Sequence, residues 1–125
     1  MIISNGVDLI EIERIRSSIY RHGERFLARI YTLRERQETG EKVESLAARF
    51  AAKEAVAKTL GAGIGPVKWT DIEICYGPSH QPKLHLHGNA ADLAAQLGLV
   101  NWSVSLSHTG SYAIAMVVAT TSTDL

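Results

Sequence analysis

The spacing of apolar residues changes halfway along the chain. In the first half Ile12, Ile15 and Ile19 recur at three- and four-residue intervals, which is the period of an amphipathic helix. In the second half apolar and polar residues alternate over 70–76 and again over 102–107, as along strands with one buried face. Helices gathered early and antiparallel strands gathered late predict an α+β fold, with an antiparallel sheet packed against helices.

Turn and capping residues set the predicted boundaries. In the first half we expect a short strand ending near Val7, then a helix from Leu9 that Gly23 interrupts and a further helical piece over 25–30. A short helix follows, capped by Thr32 with Glu35 completing a capping box. After a loop over 39–44 we expect an Ala-rich helix over 43–60 that ends at Gly61. In the second half we expect a hairpin over 70–87, a helix capped by Asn89 and ended by Gly98, strands over 102–107 and 112–119, and a frayed polar tail from Thr120.

Composition narrows the class of protein. At 125 residues, with 46% hydrophobic and 21% charged residues, the chain fits one globular domain spanning 1–125. No apolar run approaches the roughly 18 residues that a membrane span requires, and the N-terminus lacks the features of a secretory signal. A single cysteine, Cys75, excludes an internal disulfide. We therefore expect a reduced, cytoplasmic protein that does not enter membranes.

Positive charge is concentrated although the formal net charge is zero. Residues 14–36 contain seven arginines against two glutamates, a local net charge of +5. This pattern favours a local acidic partner over a protein that coats nucleic acid. The same arginines are also typical of a merely solvated face, and the charge pattern alone leaves both interpretations open.

The Ala-rich helix carries the most distinctive chemistry. Phe50, Glu54 and Lys58 lie four residues apart and share one stripe of that helix, which is otherwise apolar. A carboxylate on an apolar stripe loses water and requires a cation or hydrogen-bond donors in return. The alternative is an ordinary ion pair between Glu54 and Lys58, worth about 0.2–0.5 kcal/mol. The helix by itself does not decide between the two.

Three blocks in order carry a family resemblance: GVDLI at 6–10, KEAVAKTLGAGIG at 53–65 and SLSHTGSYAIA at 105–115. Together they resemble the 4′-phosphopantetheinyl transferases, in particular the short bacterial branch of holo-[acyl-carrier-protein] synthases. The resemblance implies a fold of that type and a transferase of fatty acid and lipid metabolism. Such an enzyme moves the 4′-phosphopantetheine group of coenzyme A onto a serine of an apo acyl carrier protein and releases adenosine 3′,5′-bisphosphate.

The same resemblance implies roles for particular residues. Asp8 and Glu54 would bind Mg²⁺, whose preference for carboxylate, phosphate and water oxygens suits a pyrophosphate substrate. Glu54 would also take the proton from the carrier serine, and Lys58 would contact the pyrophosphate and stabilise the leaving group. For Asp8 the residues allow another role, as N-cap of a helix starting at Leu9.

Coenzyme A contacts follow from the resemblance too. His108, with Thr109 assisting, would contact phosphate, whereas a lone histidine at a turn is more often a surface residue. Arg49 and Lys53 would reach the 3′-phosphate of the nucleotide, for which a solvent-facing role is equally open. Gly65 would let the backbone approach coenzyme A closely, because glycine lacks a side chain.

The resemblance also implies partners. Arg14, Arg21 and Arg25 would dock the acidic acyl carrier protein. Longer family members resemble two such units fused, with the active site at the seam, so a single-length chain is expected to form a homotrimer with its active site between subunits. Either the apolar face of 102–106 or the strand over 114–118 would line that interface.

Three other functions compete with this one. A coenzyme-binding sensor would bind the same ligand without turnover, and a structural oligomer would make the paired carboxylates incidental. A nucleic-acid-binding domain would use the basic segment 14–36. Against it stands the lack of aromatic residues interleaved with those arginines as a stacking platform.

Overall fold

The computed structural model describes residues 1–122 of the chain. The strands are β1 (Ile3–Glu11), β2 (Ile72–Tyr76), β3 (Pro82–Leu86), β4 (Leu99–His108) and β5 (Tyr112–Thr121). The helices are α1 (Ile12–His22), α2 (Glu24–Ile30), α3 (Leu33–Thr39), α4 (Val43–Leu60) and α5 (Gly88–Leu97), and a short 3₁₀ turn covers Trp69–Asp71. The α+β class with antiparallel sheets is confirmed.

Helix α4 is the centre of the fold. It is buried on nearly every side, as its alanines allow, since small side chains let strands and helices approach from all directions. A three-stranded antiparallel sheet in the order β1-β5-β4 covers one side of it. The separate hairpin of β2 and β3 is tied to α4 by buried side chains of the helix. Both sheets therefore take their position from this one helix.

Strand β1 is longer than predicted. It pairs with β5 residue by residue from Ile3 to Glu11, and α1 begins only at Ile12. The expectation of a helix from Leu9 is wrong, because Leu9 pairs with Ile114 in the sheet. The sequence suggested a helix because Leu9 lies three residues before Ile12, which fits the helical period. Asp8 consequently lies within a strand and does not cap a helix.

Several local predictions are confirmed. Thr32 caps α3 in a capping box with Glu35, and α4 has the predicted bounds with Gly61 in the left-handed conformation as its C-cap. Gly23, with φ of 53°, separates α1 from α2 as expected. The hairpin and the C-cap at Gly98 are also as predicted.

Other boundaries differ from the predictions. Asn89 is not the cap of α5, since it lies inside that helix and its amide donates to the carbonyl oxygen of Pro66. The loop after α3 is confined to 40–42, because the Thr39 hydroxyl donates to the Glu35 carbonyl and keeps Thr39 in the helix. Thr120 and Thr121 belong to β5, Ser122 follows the strand and is exposed, and the remainder of the predicted frayed tail, 123–125, lies outside the described residues.

The outer face of the three-stranded sheet is apolar and exposed. Leu9 pairs with Ile114 and Val7 with Met116, and Leu9 and Met116 are 61% and 52% exposed. The opposite face of β5, including Ala113 and Ala115, is buried. Within residues 1–122 no helix is long and apolar enough to cross a bilayer.

Candidate functional site

Asp8 reaches the surface of α4 because β1 runs unusually close to that helix. Gly6 lies two residues before Asp8 on the same face of the strand, and a Cβ added to it would overlap the carbonyl oxygen of Ala55. No residue with a side chain fits there. The close approach at Gly6 therefore fixes where the Asp8 carboxylate stands relative to α4.

The structure brings Asp8, Glu54 and Lys58 together. Lys58 Nζ lies 3.0 Å from Asp8 Oδ1 and 3.0 Å from the carbonyl oxygen of Val7. Glu54 lies one helical turn before Lys58, so both side chains project toward β1. Burial, and next the negative charge of Asp8, raise the pKa of Glu54, while Lys58 opposes the shift. Lys58 pairs with Asp8, whereas the ion pair considered from the helix sequence joined Lys58 to Glu54.

This arrangement fits a bound cation. Glu54 is near enough to Asp8 for the charge of Asp8 to act on it, and a positive charge placed between two such carboxylates stabilises both. No group of three or more His, Cys, Asp or Glu side chains able to hold a metal occurs within residues 1–122. Two carboxylates suit Mg²⁺, which commonly takes one or two protein carboxylates and completes its shell with waters and substrate phosphates.

Arg49 and His108 meet at a cavity of about 220 Å³ between α4, the hairpin turn and the end of β4. Arg49 is only 2% exposed, and its Nε donates to the carbonyl oxygen of Ile74 at 3.2 Å. Its Nη2 is buried and has no hydrogen-bond partner among residues 1–122. A buried guanidinium nitrogen without an acceptor is costly, and an anion in the cavity would supply one.

Tyr76 and His80 complete this cavity and were missed by the sequence analysis. The Arg49 guanidinium carbon lies 4.7 Å from the centroid of the Tyr76 ring, and His80 packs edge-on against that ring. The alternation of β2 placed Tyr76 on its apolar face, without sign of a cation beside it. His80 had no motif to single it out.

The prediction that Lys53 contacts phosphate is wrong. Its side chain is fully buried, and Nζ donates to Glu35 Oε1 at 2.8 Å and to the carbonyl oxygens of Trp69 and Ile72. Burial lowers the pKa of Lys53, and Glu35 opposes that effect. With three donors used inside the protein, the ammonium has none left for a ligand.

Thr109 and Gly65 lie at turns. The Thr109 hydroxyl oxygen accepts from the backbone N–H groups of Ser111 and Tyr112, which leaves its proton free to donate elsewhere. Gly65 has a φ of 139°, a conformation that glycine adopts readily, and lines a groove that includes Lys68 and Trp69.

The predicted docking arginines lie on two helices. Arg14 and Arg21 line one shallow groove beside α1, and the other residues that line it are Glu11, Glu13, Ser17 and Ser18. Arg25 lies beyond the break at Gly23 and lines a neighbouring pocket with Arg29. The continuous helix needed to align all three arginines on one side is absent, because Gly23 ends α1.

The chain is similar in sequence and in structure to known proteins over most of its length. The family model described as "4'-phosphopantetheinyl transferase superfamily" matches residues 4–117. The chain is 48% identical over 120 residues to a holo-[acyl-carrier-protein] synthase of Herpetosiphon aurantiacus, covering 90% of this chain and 94% of that protein. It is 46% identical over 122 residues to one of Koribacter versatilis, covering 94% and 98%. The crystal structure of Helicobacter pylori holo-[acyl-carrier-protein] synthase in complex with coenzyme A superposes with a TM-score of 0.85 at 32% identity, covering 93% of this chain and 99% of that one.

Proposed function

The chain belongs to the 4′-phosphopantetheinyl transferase superfamily, and we propose that Asp8, Glu54 and Lys58 form the reaction centre of its transferase activity. As a phosphopantetheinyl transferase it moves the 4′-phosphopantetheine group of coenzyme A to a serine of an apo acyl carrier protein. The serine oxygen bonds to the β-phosphorus of the pyrophosphate, and the bond from that phosphorus to the bridging oxygen breaks. Adenosine 3′,5′-bisphosphate leaves. The reaction would serve fatty acid biosynthesis.

The observation that carries the proposal is the meeting of Asp8 and Glu54. They come from positions 46 residues apart, yet Asp8 Oδ1 lies 3.0 Å from Nζ of Lys58, one helical turn after Glu54. Burial, and next the charge of Asp8, raise the pKa of Glu54. These two carboxylates would hold Mg²⁺, which supplies positive charge to the pyrophosphate oxygens when bound. Lys58 offsets part of the repulsion between the two carboxylates, and a bound divalent cation would offset more of it, which supports a role in binding one.

Glu54 and Lys58 are suited to proton handling. Glu54 lies one helical turn before Lys58 and beside Asp8, where its carboxylate would accept the proton of the serine hydroxyl. Lys58 is half-exposed and points an ammonium at the same carboxylate site. It stabilises the charge that develops on the leaving phosphate oxygen.

The cavity at Arg49 would bind the 3′-phosphate of coenzyme A. Arg49 offers an unpaired Nη2 and His108 lines the same cavity, while the free hydroxyl proton of Thr109, the next residue, is available to a phosphate oxygen. Guanidinium groups suit phosphate because two N–H donors match two oxygens. Gly65 would lie along the coenzyme at the end of α4.

Helical geometry supports an active site shared between subunits. Arg49 and Glu54 are five residues apart, so they project about 140° from each other around α4. One coenzyme molecule would meet Glu54 of one subunit and Arg49 with His108 of its neighbour. The exposed apolar face at Leu9, Ile114 and Met116 provides a surface for that contact, and we assign it to the interface of a homotrimer. Trp102, Val104 and Leu106 instead pack against the core.

Arg14 and Arg21 are the core of the proposed docking surface for the acidic carrier protein, with Arg25 at its edge beyond Gly23. Their contribution would be mainly to the association rate. The chain would act as one domain in the cytoplasm, where its buried thiol at Cys75 stays reduced.

Mass spectrometry of apo carrier protein tests the proposal directly. Incubation with coenzyme A, Mg²⁺ and this protein should add the mass of one phosphopantetheine group to the carrier, and EDTA should prevent the addition. Binding of coenzyme A without any mass gain would instead favour a coenzyme-sensing role. Glu54→Gln serves as the matched inactive variant. Full activity in EDTA would contradict the metal-binding role of the carboxylate pair.

A further inference from the structure

The free edge of β2 is bonded to side chains where a neighbouring strand would normally be. Strand β3 pairs along its other edge. On the free edge, the Ile74 N–H donates to Glu35 Oε2 and the Tyr76 N–H donates to Glu38 Oε1, each at 2.9 Å. The carbonyl oxygen of Ile72 accepts from Lys53, and that of Ile74 accepts from Arg49. Side chains of α3 and α4 thus take the place of a third strand.

Glu35 and Arg49 bind the two backbone polar groups of one residue, Ile74. Glu35 holds the N–H of Ile74, and Arg49 Nε holds its carbonyl oxygen at 3.2 Å. This second bond fixes one end of the guanidinium, whose central carbon lies over the Tyr76 ring. Arg49 lines the cavity, so the orientation of its guanidinium there depends on where Ile74 is held.

Glu35 itself cannot touch a ligand. Its side chain is fully buried, and Oε1 accepts from the Thr32 N–H at 2.9 Å and from Lys53 Nζ at 2.8 Å. Both oxygens are thus engaged inside the protein. A fully buried ion pair gains little net stability over apolar packing, so stability alone does not explain a buried charge at Glu35. Precise placement of β2 does explain it.

We infer that Glu35 is a positioning residue for the Arg49 cavity: it fixes Ile74, and through Ile74 it keeps the Arg49 guanidinium aimed at the bound phosphate. The inference rests on the proposed function, in which this cavity takes the 3′-phosphate of coenzyme A. It goes beyond that function because it gives a buried residue on α3 a part in selecting the substrate. Lys53 acts with Glu35 by neutralising its charge and holding Ile72.

The experiment compares kcat/KM for coenzyme A with kcat/KM for 3′-dephospho-coenzyme A. The ratio of these two values measures how much the 3′-phosphate contributes to stabilising the transition state. It does not depend on what fraction of a preparation is folded. Arg49→Ala should lower the ratio most. Glu35→Gln should lower it by about tenfold, because a small misplacement of a binding group is expensive. Coupled phosphopantetheine transfer to apo carrier protein provides the rates.

A second variant keeps the test valid if Glu35→Gln does not fold. Glu38 is partly exposed at 21%, and it holds the N–H of Tyr76, whose ring packs on Arg49. Glu38→Ala should lower the ratio in the same direction. Tyr31→Phe is the control: it removes a buried hydrogen bond to the carbonyl oxygen of Leu46 on α4 and none of the bonds along the free edge of β2. It should lower thermal stability and leave the ratio unchanged.

The outcomes separate the two proposals. If Arg49→Ala loses the preference for coenzyme A while Glu35→Gln and Glu38→Ala retain it, the positioning role of Glu35 is wrong and the phosphate site stands. If Arg49→Ala keeps the native ratio, the phosphate site at this cavity is wrong. A decrease of the ratio in Tyr31→Phe equal to that in Glu35→Gln would also overturn the inference, since a general loosening of the folded core, and not the bond to Ile74, would then explain both.

Discussion

Gly6 and Ala55 are in direct backbone contact, because a Cβ on Gly6 would overlap the Ala55 carbonyl oxygen and lie 2.7 Å from the Thr59 hydroxyl. We expect Gly6→Ala to lower the free energy of unfolding by about 1–3 kcal/mol, since the strand must move away from α4. The same movement carries Asp8 from Glu54, so kcat should fall as well. Chemical denaturation and transfer kinetics measure the two effects.

Gly110→Ala is the control for this change. Within residues 1–122 no atom lies near enough to contact a Cβ added at Gly110. Stability and activity should therefore stay close to native. If Gly6→Ala were as stable as Gly110→Ala, the close packing of β1 on α4 would be refuted.

Glu54→Gln should raise the melting temperature of the metal-free protein at pH 7 by roughly 1–3 °C while abolishing transfer. The pKa of Glu54 is raised in the folded state by burial and by Asp8. Its stabilising effect is thus complete below the ordinary value of 4.5 and is lost as pH rises through the raised pKa. At neutral pH the carboxylate opposes folding. The difference in melting temperature should disappear near pH 4.

Mg²⁺ should reverse this order. A ligand that binds only the folded state raises the melting temperature, so Mg²⁺ should stabilise the native protein and not Glu54→Gln. Calorimetric scans with and without the ion give this comparison without any reliance on activity. Equal shifts in both proteins would remove Glu54 from the metal site.

Met116→Lys should convert the proposed homotrimer to monomers and abolish transfer. A charge at the centre of an apolar interface costs about 2–3 kcal/mol or more if it is not paired. Sedimentation velocity measures the mass, and Tyr20→Lys is the control at a residue that is 91% exposed on α1. A Met116→Lys variant that sediments as the native oligomer would move the interface elsewhere.

Arg14→Glu combined with Arg21→Glu should raise KM for the carrier protein by about tenfold at low salt, with a smaller change in kcat. The difference from native should shrink as ionic strength rises, since exposed charges are screened. Arg16→Glu is the matched charge reversal on another side of α1, where Arg16 pairs with Glu13 at 2.6 Å. A KM as high in Arg16→Glu as in the double variant would indicate nonspecific attraction only.

Cys75 should resist alkylation until the protein unfolds. Its side chain is fully buried, and burial raises the pKa of its thiol to about 11, so the reactive thiolate is scarce at pH 7. Maleimide labelling followed over increasing denaturant should coincide with loss of the circular dichroism signal. Rapid labelling of the native protein would show that β2 opens locally.

Signals confined to a few neighbouring residues predicted local structure well. The capping box at Thr32 and Glu35, the αL glycine at Gly61 and the alternation in the hairpin each depend on contacts within one turn or one strand pair. The site carboxylates at Asp8 and Glu54 were found through motif resemblance, since no local pattern joins positions so far apart.

The predictions that did not hold depend on distant partners. The family resemblance gave Lys53 a contact to phosphate, with a solvent-facing role equally open, whereas its partner Glu35 lies 18 residues earlier and its other acceptors are backbone carbonyls. Such acceptors leave no trace in side-chain chemistry. Leu9 was assigned to a helix because its three-residue spacing from Ile12 fits the helical period, and the local sequence does not reveal its pairing with β5. In both cases tertiary contacts overrode the local pattern.

The side chains along the free edge of β2 also bear on aggregation. An open strand edge is a template to which another polypeptide adds. Here an incoming strand would have to displace Lys53, Arg49 and two glutamates from their bonds, and would leave buried charges without partners. In the folded protein the small hairpin is thereby protected from fibril-type growth along that edge.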